Sequence, residues 1–82
     1  MITVEVLSDA CRTSPLSINT SSIVSMAPVR QNIEEVNGRS ANDLSFTEIA
    51  YSVGSSVERV IVIGEYRSLV RKVGKTKGLL YG

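Results

Sequence analysis

Eighty-two residues make one domain, and a domain of this size buries only about 60–65% of the surface its unfolded chain exposes. Nine basic against eight acidic side chains leave a formal charge of +1, short of the basic excess of a protein that lives on nucleic acid, while 43% apolar and 21% charged residues speak against disorder and a membrane span. A lone cysteine, Cys11, and the absence of histidine exclude an internal disulfide and a structural zinc site.

The chain opens on MITVEVLSDA, in which Ile2, Val4 and Val6 alternate with Thr3 and Glu5. That period of two predicts a strand over 2–7 with one buried face. The same stretch has neither a basic n-region nor a long apolar h-region, so no signal peptide is expected and the cytoplasm is the expected compartment. Ser8 to Pro15 reads as a turn, followed by a short extended piece at Leu16-Ser17-Ile18. Ile23 to Ala27 is β-branched and apolar, and it predicts a second strand that stops at Pro28 and pairs with the first.

From Val29 to Leu44 the periodicity disappears and few residues suit a core. Sixteen residues are a long connection for so small a domain, which makes it the first place to look for a binding surface. Asn32 as a cap, with Glu34 and Glu35 behind it, allows a helical turn around 32–36. Ser45–Ser52 and Val57–Ile63 predict a hairpin around Gly54. Its second arm is apolar on both faces, with Val57, Ile61 and Ile63 against Val60 and Val62, as expected of a central strand.

Tyr66, Leu69, Val70 and Val73 fall at helical spacing and predict an amphipathic helix over 65–73, with Gly74 placed to end it. The expected fold is therefore α+β and mainly β: a small antiparallel sheet of about four strands with one C-terminal helix, spanning 1–74. Residues 75–82 read as a tail whose Leu79, Leu80 and Tyr81 suggest docking on a neighbouring subunit.

The order of elements, with MITVEVL, LSINTSSIVSM and VERVIVIGEYRSLVRKV, resembles the small FlbD-like flagellar and swarming family and similar short phage proteins. The markers are Ile18-Asn19 before the second strand and Glu65 at the opening of the helix. The chain departs from that pattern in the 29–44 connection and in the tail after Val73. The resemblance implies a small non-enzymatic accessory protein.

Without histidine the commonest general base is missing, and the carboxylates show no recognised catalytic spacing. Gly74-Lys75-Thr76 ends like a phosphate-binding loop, but Leu69 stands where that motif needs its first glycine. Neither an enzyme nor a cofactor is expected. What remains is a polar and basic constellation that could hold a ligand or partner: Arg30, Gln31, Asn32, Arg39, Arg67, Arg71 and Lys75. Two functions follow as expectations. One is a homo-oligomeric interaction protein that docks on a protein partner, such as a phage-encoded inhibitor or a bacterial accessory factor. The other is a homo-oligomer that sequesters a phosphate-containing nucleotide signal, a small anionic ligand, at its subunit interfaces. Membrane and nucleic acid are not expected partners.

Overall fold

The computed structural model describes residues 1–77, the last three as backbone alone. Strands β1 (Ile2–Leu7), β2 (Thr13–Ile18), β3 (Ile23–Val29), β6 (Phe46–Val53) and β7 (Ser56–Ile63) form one antiparallel sheet in the order β2-β1-β7-β6-β3. A separate two-stranded hairpin, β4 (Glu35–Val36) with β5 (Arg39–Ser40), interrupts the long connection, and α1 (Tyr66–Lys77) follows the last strand. The fold is α+β and mainly β.

The double-faced pattern of β7 explains the layering. Val62 and Val60 point to one face, where Ile2, Val4, Ile18 and Ile49 pack under Leu69 and Val73 of α1. Ile61 and Ile63 point to the other, where Leu7, Val29 and Ile33 surround the buried Val36, Ala41 and Phe46. Because successive side chains alternate across a strand, the helix covers one face of the sheet and the 30–45 connection covers part of the opposite one. β6 and β7 pair from Phe46↔Ile63 to Val53↔Ser56 and close through Gly54-Ser55. Positive φ at Gly54 alone of the two gives a type II′ turn, whose twist matches that of the flanking strands.

Five expectations are corrected. β2 runs through Pro15, and β3 continues through Pro28 to Val29. Both are edge strands, where a missing N–H toward solvent costs no ladder bond, so proline does not end them. β3 pairs with β6 and lies at the far edge from β1 and β2. The connection holds no helical turn at 32–36. Asn37 and Gly38 both take positive φ there, the type I′ geometry that folds β4 onto β5, and the connection contributes Val36 and Ala41 to a core. Finally, α1 passes through Gly74 to Lys77, since a helical glycine costs about 1 kcal/mol and is a preference rather than a stop.

The pair Ile18-Asn19 has a physical role. Ile18 is buried under the helix, and the Asn19 carboxamide accepts from the Ser21 backbone N–H to cap the 3-10 turn Thr20–Ser22.

Candidate binding cleft

At one end of the sheet β3 finishes, β6 begins and β7 turns into α1. The two covering layers part here, and an open cleft of about 580 Å³ lies between them. Pro28, Val29, Arg30, Gln31 and Ile33 line one side, and Glu65, Tyr66 and Arg67 line the other. Phe46, Ala41 and Leu44 supply apolar surface at its base, with Asn42 and Ser45 beside them.

The helical side of the cleft is held by the β7–α1 corner. The Gly64 N–H donates to the Ser45 carbonyl at 2.9 Å, and the fully buried Thr47 donates its hydroxyl to the Gly64 carbonyl at 3.0 Å. Gly64 sits at φ +149°, a conformation that L side chains rarely adopt, and a Cβ there would meet Leu69 at 3.1 Å. Glycine therefore fixes where α1 starts, and with it where Tyr66 and Arg67 stand.

The opposite side is tied down by Asn37. Its backbone N–H donates to the Cys11 carbonyl at 2.9 Å, its Nδ2 donates to Thr13 Oγ1 at 2.7 Å, and its Oδ1 accepts from the Thr13 N–H at 2.9 Å. These bonds latch the β4–β5 hairpin to the β1–β2 turn. The Ala41 N–H donates to the Glu34 carbonyl at 2.8 Å and closes the loop above the sheet.

Of the basic and polar residues singled out from the sequence, Arg30, Gln31 and Arg67 meet in this cleft. Gln31 is half-buried and its Nε2 donates to the Arg30 carbonyl at 3.2 Å, while both arginines are exposed. Arg59 pairs with Glu48 at 3.3 Å across β6 and β7, and among the described residues neither cleft arginine has an ion-pair partner. Glu65 is the one carboxylate on the lining, and the three charged side chains sum to +1.

The other candidates lie elsewhere. Asn32 is exposed outside the lining. Arg39 borders a separate hollow with Val36, Asn37, Ser40, Leu44 and Ile63. Arg71 stands one turn beyond Arg67 along α1, exposed and outside the cleft. Lys75 is described in backbone only, and Leu79, Leu80 and Tyr81 lie outside the described residues. Sequence reasoning missed Tyr66 and Phe46 as lining residues. Tyr66 was absorbed into the apolar stripe of the helix, and Phe46 into the hairpin.

Among the described residues no cluster of three or more His, Cys, Asp and Glu could hold a metal ion, and no helix is long and apolar enough to cross a membrane. No protein-family model matches the chain, and no curated protein or solved structure matches it.

Proposed function

We propose that this chain is a non-enzymatic binding protein that holds a small anionic ligand in the cleft between α1 and the 30–45 connection. The observation that carries this reading is the convergence of Arg30 and Gln31 with Arg67 over an apolar base, from segments that only the fold brings together. Guanidinium groups keep their charge at any physiological pH and present donors in a rigid fork that suits carboxylate and phosphate oxygens. Glu65, exposed on the same lining, offsets one of the two arginine charges.

An NMR amide titration at low salt with phosphate, sulfate and citrate tests it. Shifts should concentrate at residues 29–33 and 64–68 and vanish in the double variant Arg30→Ala/Arg67→Ala. Shifts spread evenly over the basic surface, or indifferent to that variant, would remove the cleft as the site.

A second reading, assembly with further copies of the same chain, is supported by three exposed valines at the hairpin end of the sheet. Val24, Val53 and Val57 keep 60%, 52% and 53% of their surface in contact with solvent. Apolar surface exposed at one end of a small domain, here on both faces of the sheet, favours association. It would suit the accessory role, phage or bacterial, that the FlbD-like resemblance implies. Light scattering should then give a mass above 8.9 kDa that falls to the monomer value in Val24→Lys/Val57→Lys. A monomer at every concentration ends this reading.

A further inference from the structure

We infer that the cleft takes a phosphate-bearing ligand that carries a planar ring next to its phosphates, the chemistry of a nucleoside diphosphate; this rests on the cleft being the binding site. The lining is divided in kind. Arg30 and Arg67 are exposed and without an ion-pair partner among the described residues, so their forks are available to phosphate oxygens. On the same lining the half-buried Ile33 and Tyr66, backed by the buried Phe46, offer apolar and aromatic surface that an inorganic anion would leave in contact with water.

The size of the cleft is compatible with such a ligand. Small-molecule sites run from about 300 to 1,000 Å³, and 580 Å³ falls inside that range, far more room than a lone phosphate fills. A ring stacked on Tyr66 would occupy the remainder and displace water from it. Arg30 and Arg67 would each meet phosphate oxygens at the open side of the cleft, and the charge they leave unmatched, with Glu65 on the same lining, would stay in contact with water.

Calorimetric titration with ADP, pyrophosphate and adenosine, on the full chain and on Arg30→Ala, Arg67→Ala and Tyr66→Ala, tests the proposal. All three residues lie at the lining and outside the fully buried core, and an unchanged far-UV spectrum checks that each variant folds. ADP should bind at least about tenfold more tightly than pyrophosphate or adenosine, a difference of one decade in Kd. Either arginine substitution should weaken ADP and pyrophosphate together. Tyr66→Ala should bring ADP down to the level of pyrophosphate and leave pyrophosphate unchanged. Equal binding of ADP and pyrophosphate, or a Tyr66→Ala variant that weakens neither, overturns the proposed ring site while the anion titration above still stands. No heat with any of the three at two well-separated temperatures, so that a binding enthalpy near zero at one would show at the other, overturns the ligand class, and that same anion titration then decides whether the cleft binds anions at all.

Discussion

Gly64 shows how much a single position can fix. Its backbone conformation disfavours any side chain, a Cβ would crowd Leu69 at 3.1 Å, and its carbonyl takes the hydroxyl of the buried Thr47. Gly64→Ala should therefore cost about 1–3 kcal/mol, the range for backbone held in a sparsely populated region. Thr47→Val keeps the shape and removes one hydrogen bond, a loss of about 1 kcal/mol. Urea unfolding reads both as lower midpoints with unchanged slopes. A Gly64→Ala protein as stable as the parent would mean that the corner is not strained. By contrast Arg59 and Glu48, a pair at the protein surface, should contribute at most about 1 kcal/mol.

Among the elements, the β6–β7 hairpin and the first strand were legible because alternation and the turn residue agree locally. Apolar residues on both sides of β7 also announced its central place. The β4–β5 hairpin was not legible, although Asn37-Gly38 is a strong turn dipeptide. Two-residue strands show no period, and Val36 and Ala41 become core only because Phe46 and Ile63 lie beneath them. The latch that holds this hairpin is non-local and leaves no trace in spacing. Asn37→Gly keeps the positive φ and deletes both side-chain bonds to Thr13, adding only the greater freedom of glycine in the unfolded chain. We expect a loss of about 1–2 kcal/mol, with NMR shift changes at residues 11–13 and little change in α1. Unperturbed amides at 11–13 would show that the latch does not form in solution.

For the whole molecule, the two prolines of the chain occupy its two outer strands, Pro15 in β2 and Pro28 in β3. A sheet ending in unpaired strands is a template for another chain, and proline on an edge blunts it. Neither outer strand carries a charged side chain, and β3, Ile23–Val29, is the longer and more apolar of the two. Pro28→Val should then leave the fold intact and produce concentration-dependent light scattering. Scattering no higher than that of the parent would show that some other feature guards this edge. The pairing of β3 with β6 instead of β1 could not be read from sequence, since both candidate partners offer the same apolar alternation and only chain closure separates them. The cleft was legible in part for the same reason. Arg30, Gln31 and Arg67 were visible as residue types, whereas their meeting depends on how two covering layers end.

The cleft also joins parts of unequal firmness. One side belongs to a helix seated on the larger core, and the other to a connection anchored by Val36, Ala41 and the Asn37 bonds. Native-state hydrogen exchange should find residues 30–41 opening at lower free energy than β7, as a sub-global unit of its own. A ligand that bridges both sides would bind only the closed form, so it would slow exchange in that connection far more than in the strands.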